Sequence, residues 1–174
     1  MIITIGGPPG SGKTTVATLL SKKLNLELVV IGEIFRSLAQ ERGYTLVQFG
    51  EMAQNDHSID RELDKRTVSR AKEGDMILEG RLAGVMLYQN NIPAYKVWID
   101  ADLGERANRI SERDGGEISE VINRIKEREH CERMRYEEIY SVRLDDRSIY
   151  DLIIDTSSLS PEEVVEVILK EIKV

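Results

Sequence analysis

The chain has 174 residues, 41% of them hydrophobic and 32% charged, so we expect one globular domain with a strongly charged surface. Its net charge of −7 argues against general binding to nucleic acid or to an acidic membrane surface. The single cysteine, Cys131, excludes an internal disulfide, and neither a basic leader nor a long apolar run follows Met1. We therefore expect a cytoplasmic monomer without a membrane or nucleic-acid partner.

Short apolar runs alternate with amphipathic stretches along the whole chain. The runs cover residues 2–5, 28–31, 76–78, 95–99 and 152–154. Each run is unbroken, which is typical of parallel strands covered by helices on both faces. The pattern predicts a three-layer α/β/α fold with a five-stranded parallel sheet.

Local signals mark the starts of two helices between and after these runs. Thr45 with Gln48, and Ser160 with Glu163, have the spacing of capping boxes. Residues 104–140 are predicted to be helical but carry little apolar surface. We therefore expect that stretch to pack loosely over the domain.

The strongest motif is a glycine-rich loop between the first apolar run and the first amphipathic stretch. It matches the pattern G-x-x-x-x-G-K-[ST] and comprises Gly7, Pro8, Pro9, Gly10, Ser11, Gly12, Lys13, Thr14 and Thr15. The backbone N–H groups of such a loop surround phosphate, aided by the positive end of the following helix. Lys13 is expected to reach the β- and γ-phosphate oxygens, and Thr14 to bind Mg²⁺. The loop predicts an ATP site with Mg²⁺ as cofactor.

A phosphate-binding loop alone does not name a reaction. The strings D-x-x-G and N-K-x-D, which are typical of GTPase switches, do not occur in the chain. The third apolar run is followed instead by Glu79, Gly80 and Arg81. Glu79 is predicted to be the second carboxylate beside Mg²⁺, acting through water, although a solvated strand end is the alternative. Arg81 is expected at the carboxyl edge of the sheet, where open α/β folds bind ligands.

Arginine is unevenly distributed. Nine of the fifteen arginines lie in residues 106–147, where Lys126 is the only lysine. Arginine binds phosphate in a planar, bidentate way, and arginines closing over a transferred phosphate would stabilise its charge. Acids are interleaved at i,i+4 spacing, as in Glu105 with Arg109 and Glu129 with Arg133, so part of the set is expected to support helices.

The choice of acceptor depends on whether the chain supplies a general base. No side chain stands out as one, and an acceptor that is itself a phosphate needs none. An alcohol acceptor would need a carboxylate, and Glu33 after the second run leaves that alternative open.

Several strings together resemble archaeal-type cytidylate kinases, a branch of the P-loop nucleoside monophosphate kinases. The strings are the loop at 7–15, I-G-E-I-F-R at 31–36, S-I-D-R at 58–61, L-E-G-R-L-A-G at 78–84, the arginine-rich run at 125–136 and S-I-Y-D-L at 148–152. The resemblance spans essentially the whole chain. It implies transfer of the ATP γ-phosphoryl to CMP or dCMP with Mg²⁺, giving ADP and CDP or dCDP.

The resemblance also implies a division of labour within one domain. It implies a core, an acceptor-binding segment at about residues 32–72 and a lid at about residues 104–140. Acceptor contacts are implied for Glu33, Arg36, Arg61, Gly80 and Arg81. Catalytic roles are implied for Lys13, Arg128, Arg133 and Arg135, with Arg109 and Arg113 as further lid candidates.

Two alternatives stay open at this point. One is another small P-loop kinase, such as an adenylate or shikimate kinase. The other is an ATP-dependent regulatory or assembly factor, in which hydrolysis drives a conformational change. Turnover that depends on a small acceptor separates the kinases from the factor.

Overall fold

The computed structural model describes residues 1–172, apart from the side chains of residues 46 and 47. Five parallel strands form one sheet in the order β2-β3-β1-β4-β5. The strands are β1 (Ile2–Gly6), β2 (Glu27–Val30), β3 (Met76–Glu79), β4 (Tyr95–Asp100) and β5 (Leu152–Asp155). Each predicted strand is confirmed to within one residue at either end. Ile31, expected at the end of β2, instead begins the following helix.

Helices cover both faces of this sheet. Within residues 1–172 they are α1 (Lys13–Leu24), α2 (Ile31–Glu41), α3 (Leu46–Asn55), α4 (His57–Ala71), α5 (Ala83–Gln89), α6 (Leu103–Asp114), α7 (Ile118–Tyr140) and α8 (Pro161–Glu171). Both predicted capping boxes are present, at the starts of α3 and α8. In the part of the chain that the structure describes, no helix is both long and apolar enough to cross a bilayer.

The unbroken apolar strands bury side chains on both faces. Ile77 packs into a cluster with α1 and α8, whereas Leu78 packs into a second cluster with α5 and the C-terminal half of α7. Both side chains are fully buried. Because successive residues of a strand point to opposite faces, the α/β/α layering follows directly from these runs.

The helices of the expected lid pack more firmly than their sequence suggested. Ala107, Val121 and Ile125 form a small cluster of buried residues between α6 and α7. Tyr136, near the end of α7, is buried in the cluster on the second face of the sheet. The apolar surface is sparse, but it is concentrated at these contacts, so α7 is held by α6 near its start and by the sheet near its end.

Candidate active site

The glycine-rich loop connects β1 to α1 at the carboxyl edge of the sheet. Gly7 and Gly10 have φ values of 155° and 80°, and added Cβ atoms would lie 2.2 Å from the Ile99 carbonyl oxygen and 2.7 Å from the Arg106 carbonyl oxygen. Only glycine fits this backbone and this close approach. Lys13 folds back over the loop, where its Nζ donates to the Pro8 carbonyl at 2.9 Å. The loop thus has the curved form that the motif predicts.

The ammonium group of Lys13 lies among other charges. Burial lowers the pKa of Lys13 to about 8, and the positive charges of Arg81 and Arg128 contribute to the lowering. The Glu79 carboxylate opposes this change. The charges of Arg81 and Arg128 therefore act on Lys13, and such a concentration of positive charge is suited to polyanionic ligands.

Thr14 and Glu79 lie together at the start of α1 and the end of β3. The Thr14 hydroxyl donates to Glu79 Oε2 at 3.2 Å. Glu79 is buried, and burial raises its pKa while the Lys13 charge lowers it. Within residues 1–172, no group of three or more His, Cys, Asp or Glu side chains could hold a metal ion alone. The pair fits Mg²⁺, which typically takes few protein oxygens and completes its shell with phosphate oxygens and water.

Two carboxylates of α7 organise the arginines of this site. Arg81 Nε lies 2.9 Å from Glu132 Oε2, and one of its Nη atoms lies 4.0 Å from Glu129 Oε1. Arg128 Nε donates to Glu132 Oε1 at 2.7 Å. The Arg81 side chain is 12% exposed, compared with 65% for Arg128. Arg81 is therefore fixed in the site, and Arg128 borders it from the lid.

The first turns of α2 lie near the same point. Glu33 and Arg36 are exposed, and their charges respectively raise and lower the pKa of Glu79, whose main shift comes from burial. A Cβ at Gly80 would lie 2.6 Å from Ile31 Cδ1. Glycine at this position lets the end of β3 pass closely against the start of α2.

The remaining predicted arginines are not gathered at Lys13. Arg61 is exposed on α4, near Asp56 at the start of its own helix. Arg113 is exposed and pairs with Asp114, and Arg133 is exposed near Asp145. Arg135 turns toward Asp60, with 3.6 Å between Nε and Oδ2.

Arg109 lies behind the loop and borders a cavity. Its Nη atoms donate to the Thr156 carbonyl at 2.7 Å and to the Ser11 carbonyl at 3.3 Å. The cavity has a volume of about 480 Å³, and Ile110 and Leu159 supply apolar surface to its lining. A flat ring could pack there against the guanidinium group and these aliphatic side chains.

Two arginines of the site were not identified from the sequence. Arg106 is buried and donates to the Pro9 carbonyl at 3.2 Å and to Glu129 Oε1 at 2.7 Å. The Arg147 guanidinium lies 3.8 Å from the centre of the Trp98 ring, and its pKa is lowered mainly by burial and further by Arg81. Both belong to the arginine-rich stretch, but nothing local distinguishes them from its other members.

Comparison with known proteins agrees with this geometry. The sequence model described as "Cytidylate kinase-like family" matches residues 2–158. The chain is 46% identical to the cytidylate kinase of Methanococcus aeolicus and 47% identical to that of Methanocaldococcus jannaschii, each over 169 residues that cover 97% of this chain and 95% of the relative. A crystal structure of shikimate kinase from Bacteroides thetaiotaomicron superposes with a TM-score of 0.66 at 16% identity, covering 100% of this chain and 99% of that one. The last likeness concerns the fold alone.

Proposed function

The chain belongs to the cytidylate kinase-like family, and we propose that it transfers the γ-phosphoryl group of ATP to CMP, giving ADP and CDP, with dCMP as a second acceptor. The observation that carries the proposal is the pairing of Arg81 and Arg128 with the same carboxylate, Glu132, at a place where both of their charges act on Lys13 of the glycine-rich loop. Such a cluster holds two phosphate groups against each other, which is the main requirement of phosphoryl transfer.

The donor nucleotide would bind with its phosphates in the loop of residues 7–15. Lys13 would exchange the Pro8 carbonyl for β- and γ-phosphate oxygens, which are stronger partners because they are charged. The adenine ring would occupy the cavity behind the loop, between Arg109 and the aliphatic side chains of Ile110 and Leu159. Backbone carbonyls of Ser11 and Thr156 already hold Arg109 in that place.

The acceptor phosphate would bind at Arg81, with Arg36 and Glu33 at the edge of the same cleft and Arg61 on the segment above it. Its own oxygen is the nucleophile and is largely deprotonated at neutral pH, so the site needs no general base. The reaction then depends on holding donor and acceptor in line and on stabilising the charge of the transferred group.

Mg²⁺ would supply charge neutralisation at the β- and γ-phosphate oxygens, held through the Thr14 hydroxyl with Glu79 alongside. Thr14 and Glu79 are already in hydrogen-bond contact, so the protein side of this site is preformed. This pair supports Mg²⁺ as the cofactor of the proposed reaction.

Residues 104–140 would act as a lid in this enzyme. Arg128 borders the site, and movement of the exposed parts of α7 and α6 would bring Arg133 and Arg113, respectively, closer to the phosphates. Closure would exclude water and suppress hydrolysis of ATP. We further propose a cytoplasmic monomer that needs no nucleic acid or membrane.

The direct test is ADP production from ATP and Mg²⁺ with CMP, dCMP, UMP, AMP, GMP and shikimate as acceptors, and with none. We expect CMP and dCMP to be preferred strongly. Preference for AMP or shikimate would retain the kinase chemistry but overturn the assigned acceptor. Hydrolysis that no acceptor stimulates would contradict the kinase assignment and favour a regulatory ATPase.

A further inference from the structure

Asp60 on α4 and Arg135 on α7 form an ion pair outside the phosphate cluster. Asp60 is 4% exposed, and its Oδ2 lies 3.6 Å from Arg135 Nε. At that distance the two atoms make no hydrogen bond, and neither has another partner among the described residues. The pair is therefore incompletely satisfied, with Asp60 buried and the Arg135 side chain 24% exposed.

Such a pair requires an explanation, because a buried charged group without hydrogen bonds destabilises the fold. The Arg81 and Glu132 pair has the same property, with orphaned atoms on both side chains, and it lies at the proposed acceptor phosphate. In the proposed function, incomplete satisfaction therefore coincides with a ligand-binding position. The Asp60 and Arg135 pair is the other ion pair with orphaned atoms on both sides in residues 1–172.

The position of the pair suits the base of the acceptor nucleotide. Arg135 follows Glu132 by three residues on α7, an axial distance of about 4.5 Å. Glu132 contacts Arg81 and Arg128 beside Lys13, so it marks the phosphate end of the cleft. One ribose separates phosphate from base, and Arg135, three residues beyond Glu132 on α7, faces Asp60 of α4.

The chemistry of the pair matches one edge of cytosine. Cytosine presents an amino group that donates and, beside it, ring N3 and O2, which accept. A carboxylate accepts the amino hydrogen, and a guanidinium donates to two neighbouring acceptors. Uracil would place a carbonyl oxygen against the carboxylate instead. Burial raises the pKa of Asp60, but the charge of Arg135 opposes that shift and favours the ionised, accepting form.

We propose that Asp60 and Arg135 read the base edge of the acceptor and select cytosine over uracil. This inference rests on the proposed function and adds a specificity role for both residues. Asp64, one turn further along α4, is excluded because it neighbours Tyr140. Tyr140 follows Glu132 by eight residues, about 12 Å along α7, which is too far for a base attached to a phosphate at Arg81.

The first test compares kcat/KM for CMP and UMP in the wild type, Asp60→Asn and Asp64→Asn. We expect Asp60→Asn to reduce the CMP-to-UMP ratio by about 10- to 100-fold, the discrimination typical of a good pair of contacts to a base. Asp64→Asn should leave the ratio unchanged, since it alters the same helix face one turn away. An equal loss for both acceptors in Asp60→Asn would identify a structural clasp between α4 and α7 and overturn the proposal. The proposal would also be overturned if Asp64→Asn, and not Asp60→Asn, changed the CMP-to-UMP ratio.

The second test removes the amino group from the substrate. The analogue is the 5′-monophosphate of the pyrimidin-2-one riboside, which is CMP without its amino group. The wild type should use this analogue far less well than CMP. Asp60→Asn should use the two nucleotides about equally well. Each comparison is made within one protein, so partial misfolding of the variant cancels. Equal discrimination by both proteins would overturn the inference and leave the kinase assignment intact. Failure of the wild type to phosphorylate any pyrimidine monophosphate would overturn the proposed function as well.

Discussion

Arg106 on α6 donates through Nη1 to Glu129 Oε1 on α7 at 2.7 Å, and the same nitrogen donates to the Pro9 carbonyl at 3.2 Å. Its Nε donates to the Ala101 carbonyl at 3.0 Å. One buried guanidinium therefore ties the phosphate loop to both helices of the lid. Glu129 also lies 4.0 Å from Arg81, so Arg106 and Glu129 connect the loop to Arg81.

Replacing Arg106 by Met should weaken ATP binding and lower stability. The loop would lose the donor to Pro9, and Glu129 would lose its main partner, at a cost of about 1–3 kcal/mol. We expect kcat/KM for ATP to fall about 10- to 100-fold and Tm to fall, measured by steady-state kinetics and thermal unfolding. Arg143→Met is the control, because Arg143 is exposed, pairs with nearby Asp145 and lies outside the proposed site. Normal ATP kinetics in Arg106→Met would contradict the role of this link.

The pKa of Lys13, about 8, predicts a pH dependence of ATP use. Burial disfavours the charged ammonium, so the proton is lost as the pH rises through that value. Because kcat/KM reports the free enzyme, kcat/KM for ATP should fall above pH 8, whereas kcat should not, since bound triphosphate stabilises the charge. Lys13→Ala should be inactive with unchanged thermal unfolding. A kcat/KM profile that stays flat well above pH 8 would argue against this pKa.

Glu79→Gln should raise the Mg²⁺ concentration that gives half-maximal activity. Glu79 accepts from the Thr14 hydroxyl and stands beside the proposed ion, and loss of such a partner lowers metal affinity by about 10- to 100-fold. Activity titrated with Mg²⁺ at fixed ATP measures the change. Thr14→Ser, which keeps the hydroxyl, should behave like the wild type. An unaltered Mg²⁺ requirement in Glu79→Gln would remove the carboxylate from the metal site.

Arg81→Ala should chiefly impair use of the acceptor. Loss of a charged hydrogen bond to the acceptor phosphate should reduce kcat/KM for CMP by about 10- to 100-fold, with less effect on KM for ATP. Glu132 would also lose its nearest buried partner, so stability should fall. Adding Glu132→Gln should restore stability without restoring acceptor use. If the double variant regains both, Arg81 supports the fold and does not bind the acceptor.

Asp64→Asn should stabilise the protein at neutral pH. Burial raises the pKa of Asp64 to about 6, the neighbouring Tyr140 hydroxyl opposes the rise and the charge of Asp60 adds to it. The folded state then holds the proton more tightly than the unfolded chain, so wild-type stability declines as the pH rises from about 4 to 6 and stays reduced above that. After allowance for partial exposure, we expect a gain of about 1–2 kcal/mol in Asp64→Asn at neutral pH. Thermal unfolding should show that this gain in stability disappears below about pH 4. An equal gain at neutral pH and below pH 4 would contradict the raised pKa of Asp64.

Local signals were sufficient for the strands, the loop and the caps. Apolar runs define strands because a parallel strand is buried on both faces. The contact between Thr14 and Glu79, 65 residues apart, also follows, since β1 and β3 are neighbours and both end at the carboxyl edge. Here a motif and a topology rule together place two side chains.

In the arginine-rich stretch, residue spacing alone does not predict which side chains pair. The predicted pair of Glu105 with Arg109 is present, but Glu129 pairs with Arg106 on another helix and not with Arg133 one turn away. Helical spacing puts several arginines within reach of each acidic side chain. Which arginine forms the ion pair depends on which of them is buried by the packing of α6 against α7.

The sequence by itself determined the α/β/α fold, the phosphate loop and the family, because periodicity and motif spacing are properties of neighbouring residues. Only the tertiary structure decided that Arg106 braces the loop, that Arg147 lies on Trp98 and that Asp60 faces Arg135. Those roles depend on the direction in which identical side chains point, and that direction is set by how distant helices pack around the sheet.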